Sequence, residues 1–312
     1  MSTIRVGSVV NSVAGVVRVT VPATSANLGP GFDALGLALD LHDVVEAEVT
    51  SGGLAIEVTG VEADAVPRDE KHLVVQAMRA AFDALGVAQV GLRVRCANAI
   101  PHGRGLGSSA AAIVAGILAA QALAGDSLAE ADDAVLALAT ELEGHPDNVA
   151  ACIFGGLTIA WAADRQVRAT RVDVHPDIQP LICVPESVVP TELARGLLPD
   201  TVPHADAARN AGRAALLIEA LTRRPDLLMD ATEDRLHQHY RAGAMPESLD
   251  LVTMLRKKGL PAVVSGAGPS VLVLATSGQA AEFPLRVREM TGWDVRPLHI
   301  DTRGAHVAVR PR

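Results

Sequence analysis

Aromatic residues are almost missing from this chain: 2% of 312 residues, with one Tyr, two Trp and four Phe. Val, Leu, Ile and Ala must therefore fill the core, and little aromatic surface remains for stacking nucleic-acid bases. Runs of Lys or Arg are also lacking, and the formal net charge is −9. Together these features exclude a nucleic-acid partner from the reading. Cysteine is scarce. Cys96, Cys152 and Cys183 form no CxxC pair and are odd in number, which suits structural thiols in a reduced, cytoplasmic chain. The apolar stretch at the amino terminus is broken by Gly7, Ser8, Asn11 and Ser12, so no signal peptide is expected. A single uncharged run, 105–125, approaches the length of a bilayer span. It is rich in Ala and Gly and lacks aromatic anchors, so it predicts a buried helix and no membrane association.

Hydrophobic residues make up 49% and charged residues 20%, ordinary values for a soluble globular protein. The length favours two domains. Residues 1–14 read as a flexible lead-in, 15–175 as a first domain and 176–312 as a second, divided where Pro176 and Pro180 interrupt the pattern. Apolar alternation predicts strands over 16–21, 35–41, 44–49, 90–96, 167–174, 181–184, 263–264 and 271–275. Residues 149–160 lead into another strand, and 287–309 should hold a helix and two more strands. Helical spacing covers 73–85, 109–124, 128–143, 207–221, 249–258 and 234–241. The mixture is α+β.

The richest local signal is the run 101–111: Pro101, His102, Gly103, Arg104, Gly105, Leu106, Gly107, Ser108, Ser109, Ala110 and Ala111. Alternate glycines let a backbone turn and approach a ligand closely. Ser108 or Ser109 stands where a helix N-cap is wanted. The free N–H groups of that first turn, with the helix dipole, make an anion site suited to a polyphosphate. The run is neither a Walker A loop, which needs Lys then Ser/Thr after its last Gly, nor the dinucleotide fingerprint. Alone, it also describes an ordinary strand-to-helix turn.

Three further loops are rich in polar residues. Segment 22–33 carries Asn27 and Asp33, which suit an ammonium or hydroxyl or simply cap turns. Segment 141–149 packs Glu141, Glu143, His145, Asp147 and Asn148 at a helix end. Mg²⁺ takes one or two carboxylates and keeps several waters, and Glu141 or Glu143 can supply one. Segment 265–270 is a second glycine turn between strands.

In this order, the four segments resemble the GHMP kinases. PATSANLGPGFDALG at 22–36, EGHPDNVA at 143–150 and ARGLLP at 194–199 are similar to the homoserine kinase branch. The resemblance runs from about residue 16 to the end. It implies a ribosomal-S5-domain-2-like amino-terminal domain and a ferredoxin-like carboxy-terminal domain with the active site between them. It implies ATP and Mg²⁺ as cofactors and L-homoserine as acceptor, giving O-phospho-L-homoserine and ADP on the route to threonine. By the resemblance, Asn27, Asp33, His145, Asn148, Arg195 and Arg241 hold the amino acid. The run 101–111 and His72 hold the nucleotide. Ser108 and Glu141 complete the metal shell, with Glu143 as fallback. Asn148 orients the hydroxyl, and Asp147 is the residue to test as a base. Homodimers are common in the family. Three departures stand out. Asn98 replaces a usual Lys, His72 a usual Asn, and Arg104 either restores the lost charge or points to solvent. The alternatives are a catalytically weak binding protein on the same scaffold, or a kinase for another small alcohol.

Overall fold

The computed structural model describes residues 15–88, 91–125, 132–164, 166–287 and 292–311. The expected lead-in over 1–14, the start of the helix expected at 128 and most of the one expected over 287–291 lie outside those residues.

Strict alternation builds the first strand. In β1 (Gly15–Ala26), Val17, Val19 and Val21 are buried and the residues between them half-exposed. It pairs antiparallel with β2 (Leu35–Thr50). The strand β3 (Leu54–Gly60), absent from the sequence reading, lies parallel to β4 (Gly91–Asn98), which pairs antiparallel with β2. As an edge strand it buries only Val58, so its hydrophobic signal is weak. The helix α1 (Leu73–Ala84) lies in the crossover that parallel neighbours require.

The uncharged run becomes α2 (Ser108–Leu123). Every residue from Ile113 to Leu123 is buried, so it is a core helix packed on α1 and the sheet. Among the described residues no helix is long and apolar enough to cross a membrane. Next come α3 (Asp132–Glu143) and α4 (Pro146–Phe154). Pro146 starts a helix that the sequence reading did not expect. Proline fits the first helical position, where its missing N–H costs nothing, and extended His145 is the N-cap. The strands β5 (Leu157–Ala163) and β6 (Gln166–Val172) complete this part of the sheet.

After β6 the chain enters a second sheet with β7 (Ile178–Pro185). There follow α5 (Thr191–Gly196), α6 (His204–Thr222), α7 (Leu228–Ala231), α8 (Pro246–Lys257), β8 (Ala262–Val264), β9 (Val271–Thr276), α9 (Ser277–Val287) and β10 (Trp293–Pro297). The four strands are antiparallel in the order β10-β7-β9-β8. The chain then crosses back, and β11 (His306–Pro311) pairs with β1. A latch fastens the crossover: His42 on β2 meets Asp301 at 2.6 Å. The helix expected over 234–241 is a set of turns instead. The Asp234 carboxylate accepts N–H bonds from Leu236, His237 and Gln238, which competes with helical pairing.

Candidate active site

The loop between β4 and α2 is held from both sides. The Asp43 carboxylate accepts the N–H groups of Ala99 at 2.6 Å and Ile100 at 2.9 Å. Pro101, Leu106 and Ala110 are buried and anchor the loop to the core rather than facing a ligand. Gly103, Gly105 and Gly107 all have positive φ. The N-cap of α2 is Gly107, at φ 70°, and not either serine. No side chain caps the helix, so its first-turn N–H groups stay available to an anion. A Cβ on Gly107 would strike the Thr24 hydroxyl and the Asn148 amide.

The second glycine turn, 265–270, clamps this loop. Ser265 Oγ donates to the Gly105 carbonyl at 2.6 Å, and the Ser270 N–H donates to the Arg104 carbonyl at 3.3 Å. Arg104 itself reaches out of the loop to other elements. Its guanidinium pairs with Glu62 and donates to the carbonyls of Pro185 at 3.0 Å and Glu186 at 3.1 Å. It neither restores the charge missing at Asn98 nor points freely to solvent. It ties the loop to the end of β7.

Two cavities meet at Ser108 and Ser109, which line both. The first, about 270 Å³, is bounded by Val21, Val45, Val66, Pro67, His72, Cys96 and Asn98. His72 is buried there with neither ring nitrogen hydrogen-bonded, so it has polar capacity left for a ligand. Burial, with His102 nearby, lowers its pKa and keeps it neutral. The second cavity, about 230 Å³, is lined by Asn27, Glu143, His145, Asp147, Asn148, Thr191, Arg195, Arg241 and the tip of the second glycine turn.

Several side chains of the second cavity are set by contacts distant in sequence. Asn27, in the left-handed region at φ 67°, donates to the Gly266 carbonyl at 2.9 Å and accepts the Asp33 N–H at 2.9 Å. Its amide therefore builds the site as well as lining it. Asp33 stands beside the cavity and accepts from Arg195 Nη2 at 2.9 Å. Asn148 Oδ1 accepts from the Thr24 hydroxyl at 2.8 Å, which aims its amide nitrogen away from Thr24. Asp147 is buried and already engaged by the Asn148 N–H at 2.7 Å and by His145 Nδ1 at 3.1 Å. Burial is the largest influence and opposes charge on His145, but the hydrogen bond and the charge of Asp147, with Glu143 nearby, together outweigh it and raise the pKa.

Glu141 does not reach the cavity. It is exposed, whereas Glu143 faces in and accepts from Ser109 Oγ at 2.7 Å. Residues two apart on a helix point in nearly opposite directions, so only one of the pair can face the cleft. Burial raises the Glu143 pKa although Ser109 works against it. Among the described residues no group of three or more His, Cys, Asp or Glu could hold a metal alone. One inward carboxylate beside two serine hydroxyls is the donor set expected when phosphate oxygens and water complete the shell. Thr24, Glu62, Thr191 and His237 were missed by the sequence reading. Nothing local marks them, because their roles arise from long-range contacts.

A two-lobed cleft with a glycine loop opening a buried helix defines a small-molecule kinase. Residues 72–156 match the GHMP kinases N terminal domain, and residues 207–290 match the GHMP kinases C terminal family. The chain belongs to the GHMP kinase family. The homoserine kinase of Streptomyces avermitilis is 58% identical, covering 94% of this chain and 96% of that one. That of Clavibacter michiganensis is 52% identical, covering 94% of each. The crystal structure of homoserine kinase from Cytophaga hutchinsonii superposes with a TM-score of 0.81 at 28% identity, covering 98% of this chain and 100% of that one. Within the family the chain stands in the homoserine kinase branch.

Proposed function

We propose that the cleft transfers the γ-phosphoryl group of Mg-ATP to the side-chain hydroxyl of L-homoserine, giving O-phospho-L-homoserine and ADP for threonine biosynthesis. The observation that carries this reading is the meeting of the two cavities at Ser108 and Ser109. The apolar cavity with buried His72 takes the adenine. The polar one takes the amino acid. The triphosphate runs between them along the loop and the first turn of α2, held mainly by backbone N–H groups.

On the acceptor side, Arg195 and Arg241 suit the α-carboxylate, and Asp33 suits the ammonium. Substrate then enters the Arg195–Asp33 pair, giving each charge a new partner. Asn148, fixed by Thr24, directs the hydroxyl toward the γ-phosphorus. Glu143, with Ser108, holds the nucleotide's Mg²⁺ in place of Glu141. A loose transition state asks mostly for alignment and neutralised charge, so a strong base is not required. The engagement of Asp147 with His145 and the Asn148 N–H supports a positioning role for it rather than proton abstraction. The change of sheet between β6 and β7 supports a division near residue 175, with β11 returned to the first domain. Three buried free thiols suit a reduced, cytoplasmic setting.

The test is ADP release with Mg-ATP and L-homoserine, L-threonine, L-serine, mevalonate or galactose. Release selective for L-homoserine supports the reading. Selectivity for another alcohol, or Mg-ATP binding without turnover, overturns it.

A further inference from the structure

Arg241 is among the largest fully buried side chains of the molecule, at 1% exposure. Its hydrogen bonds go to neutral acceptors. Nε donates to the Ala194 carbonyl at 3.2 Å, and Nη1 donates to His237 Nδ1 at 3.1 Å and more weakly to the Gly266 carbonyl at 3.4 Å. Nη2 makes no hydrogen bond among the described residues. A buried guanidinium held by neutral groups keeps its charge for a ligand, and it lines the acceptor cavity.

His237 is the acceptor whose state is conditional. Its side chain is wholly buried. Nε2 lies 2.8 Å from the Gly29 carbonyl and must carry a proton to bond it. Nδ1 must then be bare to accept from Arg241. Only the neutral Nε2–H tautomer satisfies both contacts. The ring also stacks on Phe32 at 5.2 Å, and the Arg241 guanidinium lies over the same ring at 5.6 Å. The charged groups around His237 are Arg241, Asp234 and Asp33. Asp234 is spent on backbone N–H groups, its Oδ1 3.7 Å from Nε2. Burial outweighs both carboxylates, lowers the His237 pKa and favours the neutral ring. A Leu or Phe would fill this volume without either polar contact.

We propose that His237 is a positioning residue that fixes the Arg241 guanidinium in the acceptor cavity and ties it, through Gly29 and Phe32, to the loop carrying Asn27 and Asp33. This rests on the reading that Arg241 holds the acceptor's carboxylate. His237 then governs acceptor affinity without touching the acceptor or the nucleotide.

The experiment compares steady-state kinetics of the native chain, His237→Phe and His237→Gln. Phe keeps the volume and the stacking. Gln can still donate to Gly29 and accept from Arg241. His237→Phe should raise KM for L-homoserine roughly 10- to 100-fold, the size of a lost hydrogen bond to a charged group, with KM for Mg-ATP within about twofold. His237→Gln should recover most of that loss. An acceptor KM within about twofold of native in His237→Phe overturns the proposal, as does equal impairment of both variants with Mg-ATP affinity falling in parallel. If His237→Phe does not fold, acidification decides. Below the ordinary histidine range, the native KM for L-homoserine should rise more steeply than that of His237→Gln, whose side chain cannot take a proton. Superimposable profiles overturn the proposal. A native chain that releases no ADP with L-homoserine removes the functional reading and this inference with it, whereas an active native chain with an unaffected Phe variant removes this inference alone.

Discussion

The two halves of the cleft are built differently. Around the cavity proposed for the nucleotide, walls come largely from short pieces, 65–67, 71–74 and 108–115, and most are apolar or backbone. Around the cavity proposed for the acceptor, charged and amide side chains arrive singly, joined by contacts such as Arg195 to Asp33 and Thr24 to Asn148. On the proposed function, adenine and phosphates would be recognised by shape and by N–H groups that any sequence supplies once the glycines bend correctly. An amino acid carries both charge signs, and opposing charges must be delivered at fixed distances. That requires several elements to converge.

If the halves are separate in this way, removing a deep acceptor-side charge should leave nucleotide binding untouched. Arg241→Met is expected to lower kcat/KM for L-homoserine by roughly 30- to 1,000-fold, or about 2–4 kcal/mol, for a buried charge contact. Calorimetric titration of Mg-ATP should give nearly native affinity, and a parallel loss would break the comparison. Gly107→Ala strikes the seam. Its φ of 70° disfavours Ala, and the new Cβ meets both Thr24 and Asn148. A strain of about 1–2 kcal/mol before the clash predicts roughly 10- to 100-fold lower turnover, with both substrate constants worsened.

The facing of α3 sharpens the metal assignment. Glu143→Gln should cost about tenfold in kcat and raise the Mg²⁺ requirement, while Glu141→Gln should stay within about twofold. A magnesium titration of both variants decides, and the reverse ranking would return the role to Glu141. The smallest effect lies outside the cleft, at the crossover latch. His42 is held above its ordinary 6.5, first by its hydrogen bond to Asp301, against partial burial. Burial would raise the Asp301 pKa, but His42 and the N–H groups of Gly304 and Arg303 outweigh it and lower the pKa. A raised histidine pKa contributes stability that is full below 6.5 and lost as pH rises through the folded value. Melting curves should show this as about 0–1 kcal/mol of alkaline loss that His42→Gln flattens, with kcat at saturation unchanged.

Much of the nucleotide half was legible in the chain. The glycines of 103–107 announced a sharply bent loop because positive φ is a local demand, and the uncharged run announced a buried helix because burial suppresses charge. Local reading erred where neighbours decided. The serines after Gly107 looked like caps, yet the glycine caps and the serines face the cavities. Residues 234–241 have helical spacing, yet Asp234 diverts the backbone N–H groups into turns. Pro146 lay beyond the helix expected over 128–143 and proved the start of another. On the acceptor side, Asn27, His145, Asn148, Arg195 and Arg241 do line one cavity, with Asp33 beside it. Family resemblance pointed to them, and spacing alone could not have joined them.

By itself, then, the sequence determined what short stretches can settle: where backbone must bend, which runs must be buried, and which chemical groups were available. Tertiary structure decided how those groups are used. Helix phase turned Glu143 inward and Glu141 outward. Contacts at the end of β7 and with Glu62 took up the Arg104 guanidinium, and the turns after α7 buried His237 against Arg241. These outcomes depend on which surfaces exclude water together. That is a property of the assembled layers and of no single segment.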